Sequence, residues 1–383
     1  MGRTRTKTRK NDLLASTSKV STTEPAAEEP PLESLLEKAG ELLVQTDYEL
    51  CARFLDRILR RSPHHAAAKE LLGVLQLETG DIDSARSTFQ SLIPPSPHAP
   101  ADAPPAAHLY LAQLSDEDPH AALSHYDAAV NILEEKLRDK GKGVAMEAGE
   151  ELDEEETKST IVRALIGSVE VWMDPSYDLC FDPGAENTCE ALLARALNVS
   201  PGNAEALQAL ASVRMSQSRP EDAKALLEQS WLSWKDLDAE DPKLPPLQTR
   251  ISLSKIFLEL ELFTPALEVI QGILAADDTD AEAWYLDGWA HFLIAEQAHE
   301  AGKAKEEWED EAREARDSLE SCLALHVAQN HPDLPLREHA RELVEKLEAL
   351  GVKASPEGEE EDGGDWEDED VGSEDGDGDV EMA

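Results

Sequence analysis

The chain predicts an all-α fold, a helical-repeat superhelix of about seven helix pairs closed by a capping helix. Three observations carry that reading. Ala, Leu and Glu dominate a composition with 5% aromatic residues, which suits Ala-lined helix pairs better than a β-sandwich. Apolar residues recur at helical spacing from Leu32 onward. Small, aromatic and proline positions return at a period of 34, marked by Pro63 and Pro97.

Residues 1–30 are polar and lack periodicity, so they read as a disordered basic segment. Met1 to Lys10 holds five basic residues interleaved with threonine. It reads as a nuclear-import signal or a solvated tail. A mitochondrial presequence would have only the thin apolar face of Leu13, Leu14, Ala15 and Val20. Residues 31–352 read as the repeat domain, and 353–383 as a disordered acidic tail. From Glu357 to Ala383 there are fifteen acids and no base, and Trp366 is the large apolar group there.

The elements follow in order. Leu35, Leu36, Ala39, Leu42 and Leu43 make one apolar face, and Cys51, Leu55, Ile58 and Leu59 make its partner. The second pair runs from Ala66 to Pro97, with Gly80 as its turn. A Pro/Ala-rich link follows, and the third pair joins 106–114 to 121–137 through Ala122, Tyr126 and Ala129. Residues 138–157 break the pattern and predict a mobile acidic loop. The fourth pair has Ile161 to Met173 as its first helix, a long link MDPSYDLCFDPGAE, and Asn187 to Asn198 as its second. The fifth spans Ala204 to about Trp234, and the sixth Gln248 to Leu274. The seventh opens on DAEAWYLDGWAHFLIA, where Trp284 and Gly288 share a helix face and Gly288 admits a close neighbour. A charged run delays its partner until Ala315, Leu319 and Cys322, so its first helix predicts as unusually long. Pro335 to Leu350 is apolar on one side and charged on the other, which a capping helix requires. The offsets are those of the tetratricopeptide repeat (TPR), although Asp287 stands where its pattern has leucine.

Charge narrows the function. Eighty-one acids face 35 bases, for a net charge of −46. Such a chain repels nucleic-acid phosphate and attracts basic partners. Cys51, Cys180, Cys189 and Cys322 form no CxxC pair and read as reduced packing residues of a cytosolic or nuclear protein. No apolar run reaches the ~20 residues that span a bilayer. Phosphate-loop, GxSxG and HExxH motifs are absent. His64 and His65 point different ways, and His291 has no nucleophile paired with it in sequence. The reading is therefore a non-enzyme without cofactor or metal.

Binding is the expected work. In the repeat register Glu33, Glu70, Leu77, Glu78, Ile161, Trp172, Glu205, Met215, Ile251, Leu258, Glu259, Glu282, Tyr285, Trp289 and Phe292 face the groove lined by first helices. Acids mixed with large apolar groups suit a basic peptide with hydrophobic anchors. The bland reading has these acids solubilise the surface and Trp289 pack into the helix that follows. A carboxylate clamp for an acidic C-terminus is disfavoured, because Leu36, Gly40 and Glu70 stand where its cations would be.

The basic N-terminus, the irregular repeats, the acidic tail, the stretch VEVWMDPSYDLCFDPGAENTCEALL (Val169 to Leu193) and the stretch AWYLDGWAHFL (Ala283 to Leu293) together resemble a fungal family. That family comprises assembly chaperones of large-subunit ribosomal protein four. The resemblance implies a dedicated chaperone of that basic protein, shielding its internal loop and delivering it to nuclear pre-60S assembly. It also implies residence in cytoplasm and nucleus, with import factors as further partners. An escort of histones or other basic proteins, or a scaffold subunit of a multiprotein complex, fits the same architecture.

Overall fold

The computed structural model describes residues 30–140, 148–241 and 243–355. Its contacts divide the chain into two units, Met1–Asp116 and Glu117–Ala383. Among the described residues there are fifteen α-helices. The expected disordered ends fall almost entirely outside the described residues.

The first unit holds α1 (Leu32–Val44), α2 (Tyr48–Arg61), α3 (Ala66–Glu78), α4 (Ile82–Gln90) and α5 (Pro105–Gln113). The second holds α6 (Pro119–Lys140), α7 (Ala148–Met173), α8 (Ala185–Val199), α9 (Ala204–Ser216), α10 (Pro220–Leu232), α11 (Leu247–Glu259), α12 (Phe263–Ala276), α13 (Ala281–Glu300), α14 (Glu309–Gln329) and α15 (Leu334–Ala349). The helices start where the sequence supplies an acceptor. Asp47, Asp81, Asn203, Asp280 and Asp333 each accept a backbone N–H from three residues on, at 2.8–3.2 Å. Turns inside the pairs use a left-handed residue, taken by Gly80 at φ +78° and, at more conformational cost, by Thr46, Ser218 and Glu261.

Three glycines set helix spacing. A Cβ at Gly73 would lie 2.5 Å from the Phe89 ring, and one at Gly167 would lie 2.8 Å from Tyr126. At Gly288 it would meet Leu319 Cγ at 2.7 Å and the Ala315 carbonyl at 3.0 Å. The small positions thus let α4 and α14 close on α3 and α13 within their pairs, as the repeat pattern requires, while at Gly167 it is α6 of the preceding pair that closes on α7. Within the second unit the first helices also touch one another in turn, so that α7 meets α9, α9 meets α11, α11 meets α13 and α13 meets the closing α15. First helices therefore form a continuous face there.

The acidic 138–157 stretch differs from expectation. Apart from 141–147, which lie outside the described residues, it is helical, and α7 begins at Ala148 rather than near Ile161. Its glutamates are good helix formers, and they sit at the N-terminal end of α7, where the helix dipole favours anions. Lys158 pairs with Glu154 one turn back at 2.7 Å, which adds a little more.

Candidate functional site

In the first unit, α3 carries Glu70, Leu77 and Glu78. Leu77 is half-buried against the core under α4 and α5. Glu78 is exposed and accepts a hydrogen bond from the Tyr48 hydroxyl at 3.3 Å. Burial, and then the carboxylates of Glu70 and Glu78, push the Tyr110 phenol above its ordinary pKa. Helices α3 and α5 thus bring an aromatic hydroxyl within electrostatic reach of two acids. Glu33 is exposed on α1.

In the second unit the first-helix face runs from α7 to α15. Glu170 on α7 is exposed, yet desolvation first and the Glu205 carboxylate on α9 second raise its pKa. Both acids sit on first helices that touch, α7 and α9. Two carboxylates that repel each other there present a site whose charge a cation relieves. Trp172 is half-buried on the core between α7, α8 and α9, and Met215, also half-buried, packs on the core that runs from α9 to α13. Glu282 on α13 pairs with Lys255 on α11 at 2.6 Å, and Glu259 is exposed on α11.

The end of the face is aromatic. Tyr285 Oη lies 2.7 Å from His339 Nδ1 of α15, and Tyr285 and Trp289 stack with ring centroids 6.0 Å apart. Burial, with Cys322 and nearby carboxylates behind it, pushes the Tyr285 phenol up to about 12. Trp289 also meets the His339 ring of the capping helix, with centroids 6.1 Å apart, and packs on the core that α13, α14 and α15 share.

Several expected residues leave the surface. Ile161, Ile251, Leu258 and Phe292 are all at most 5% exposed. Helix α11 is contacted by α9, α10, α12 and α13, so its buried face is wider than one apolar stripe, and Ile251 and Leu258 fall inside it. Ile161 sits within the long α7, which packs on α6, α8 and α9. Phe292 is covered by the added turns of α13 and by α14 and α15.

Many cations are committed within the fold, which leaves the surface acidic. Arg195 forks onto Glu134 at 2.7 and 2.8 Å, Arg214 pairs with Glu190, and Arg316 holds Glu320, Glu348 and the Val352 carbonyl. The departure at Asp287 is also accounted for. Asp287 is buried and accepts from Ser318 Oγ at 2.8 Å, while His291 lies 2.7 Å from Glu311 and 3.9 Å from Asp287. His291 is a satisfied structural histidine. His65 caps α3 by accepting from the Ala68 N–H, and His64 stacks on His98. All four cysteines are free thiols, with Cys51, Cys189 and Cys322 buried. Among the described residues no group of three or more side chains is arranged to hold a metal, and no helix is long and apolar enough to cross a membrane.

Sequence reasoning missed Glu170, Tyr110, Lys255 and His339. Glu170 stands 35 residues before Glu205, one off the repeat period, and that was a usable signal. The other three face their partners only through packing.

Comparison with known proteins places this architecture. The tetratricopeptide repeat family matches residues 36–100. A protein of Emericella nidulans named "Probable assembly chaperone of rpl4" is 32% identical over 372 residues, covering 91% of this chain and 90% of that one. A Schizosaccharomyces pombe protein of the same name is 33% identical over 302 residues, covering 78% and 85%. A solved structure titled "Assembly Chaperone of RpL4 (Acl4) (Residues 1-338)" superposes with a TM-score of 0.62 at 30% identity, covering 71% of this chain and all of that one.

Proposed function

The chain belongs to the fungal family of rpl4 assembly chaperones, and we propose that it binds large-subunit ribosomal protein four through its first-helix face. It is a dedicated chaperone, and its work is binding rather than catalysis. The face receives the client's basic internal loop. The pair travels from cytoplasm to nucleus, where the client is released to pre-60S particles. Met1 to Lys10 serves as an import signal in this reading.

The observation that carries the proposal is the continuous first-helix face of the second unit, on which α7 with Glu170 touches α9 with Glu205, so that the two like charges feel each other. A guanidinium or ammonium placed between them removes their repulsion and gains attraction in a setting less screened than bulk water. Glu70, Glu78 and Glu259 add diffuse attraction, which speeds encounter and fades with salt. A free ribosomal protein is a dense positive charge that RNA would otherwise capture, and an acidic partner competes with RNA for it by mass action.

Co-expression with protein four, followed by gel filtration in moderate salt, tests the reading, with a histone pair as control. The expected result is a salt-resistant one-to-one complex that is lost when the client's internal loop is deleted. Equal binding to the histones that vanishes in salt would mean that acidity alone is at work, and would overturn the client assignment.

A further inference from the structure

The first-helix face does not end at Tyr285 and Trp289. Their stripe on α13 continues at helical spacing through Phe292 to Glu296. Between the last turns of α13, the start of α14 and the end of α15 it opens into a slot of about 330 Å³. Phe292, Ala295, Trp308 and Leu347 form its walls. Phe292 and Trp308 are each 5% exposed, so they are firmly held rather than loose. The mouth carries Glu296, Glu300 and Lys346, all exposed.

Two features say what the slot is for. The ordinary repeat does not need it. The first helices α3, α9 and α11 have 13 residues, whereas α13 has 20, and the surplus turns supply Ala295, Glu296 and Glu300. Its surroundings also select charge. From Glu296 to Glu314 eight acids stand against three bases. The cation at the mouth, Lys346, already lies over the Phe292 ring at 5.7 Å, an arrangement that an incoming ammonium or guanidinium can share or replace.

We propose that this slot is the apolar anchor point of the client-binding face, taking one large apolar side chain from a basic partner segment. The proposal rests on the reading of the chain as a chaperone of a basic client. Charge argues against the chain's own tail as occupant, since Trp366 is flanked by Asp365 and Glu367 and would meet an acidic rim. A basic segment meets the same rim favourably, and its apolar side chain fixes register where charge alone would let it slide.

The test uses the full chain and two labelled Lys/Arg-rich peptides, identical except for one central Phe or Ala. The Phe peptide should bind about tenfold tighter or more, the size expected for burying one aromatic side chain. Ala349→Trp, which fills the mouth from an exposed position on α15, should abolish that difference. Leu350→Glu, a second variant at an exposed lining residue, should do the same if the first unfolds. Glu296→Lys with Glu300→Lys should weaken both peptides. Equal binding of the two peptides, or a Phe advantage that survives both mouth variants, would overturn the proposal. So would a Phe advantage seen only after truncation at Ser355, which would make the tail the occupant, or a dimer dissolved by Ala349→Trp, which would make it a second copy. Failure of protein four itself to bind the parent chain would strike the underlying reading instead.

Discussion

The second and seventh helix pairs close by the same device and finish with different surfaces. In α3/α4, Gly73 lies under the Phe89 ring, and a single left-handed residue, Gly80, makes the turn. In α13/α14, Gly288 lies under Leu319 and the Ala315 backbone. The helices there have 20 and 21 residues rather than 13 and 9, and a short 3-10 turn at Lys305–Glu307 joins them. The repeat motif fixes how closely two helices approach. Length beyond the motif fixes what surface they leave, and in the seventh pair it leaves a slot.

The strongest way to break the comparison is to crowd both glycines. Gly288→Ala should cost near the top of the ~1–3 kcal/mol range for overpacking, because the new methyl meets backbone as well as Leu319. At Gly73 the three nearest atoms all belong to the Phe89 ring and none to backbone, so Gly73→Ala should cost less, and Phe89→Leu should restore part of the loss in a double-mutant cycle. Urea unfolding of the four variants reads both effects. If the two glycine variants cost the same and show no coupling, the contrast is wrong.

Next in size is the polar pair that the seventh pair carries in place of leucine. Ser318→Ala leaves the buried Asp287 carboxylate one partner short and should cost ~1–2 kcal/mol. Asp287→Leu combined with Ser318→Ala should recover that loss, since an apolar pair replaces a buried charge. A double variant no more stable than the single would show that the carboxylate has other work. Lys255→Ala should cost less than ~1 kcal/mol, because the bridge to Glu282 is half-open to water.

The smallest effect lies outside both pairs and serves as a control. The raised pKa of Glu170 means that the native state holds its proton more tightly than the unfolded chain does. Stability therefore falls as pH rises from the ordinary carboxylate range through the raised value, and the penalty is fully present at neutral pH. Glu170→Gln should thus stabilise the free chain slightly at pH 7, by less than ~0.5 kcal/mol because the group is open to solvent. The gain should vanish in acid, as thermal melts across pH would report. The same substitution should weaken client binding.

Much of the fold was legible because its information is periodic. Gly73, Gly167, Gly288, the overlong α13 and the closing α15 all follow from one repeat register and its interruptions. What stayed hidden depends on neighbours. Leu258 and Phe292 have the register of surface residues, and only the helices packed over them bury them. Residues 148–157 look like a loop by charge, yet glutamate at a helix start favours the helix. The encounter of Glu170 with Glu205 needs two helices one pair apart to come within electrostatic reach, which spacing suggests but packing decides.

The most direct measurement is the affinity of the full chain for intact protein four as a function of salt, comparing the parent with Glu170→Lys plus Glu205→Lys. If the first-helix face holds the client, the variant should bind about 10- to 100-fold more weakly, the size expected when like charges replace complementary ones at an interface. Its affinity should also depend less steeply on salt, while its unfolding midpoint stays near the parent's. Unchanged affinity and salt dependence would contradict the account, and would move the client to some other surface of the chain.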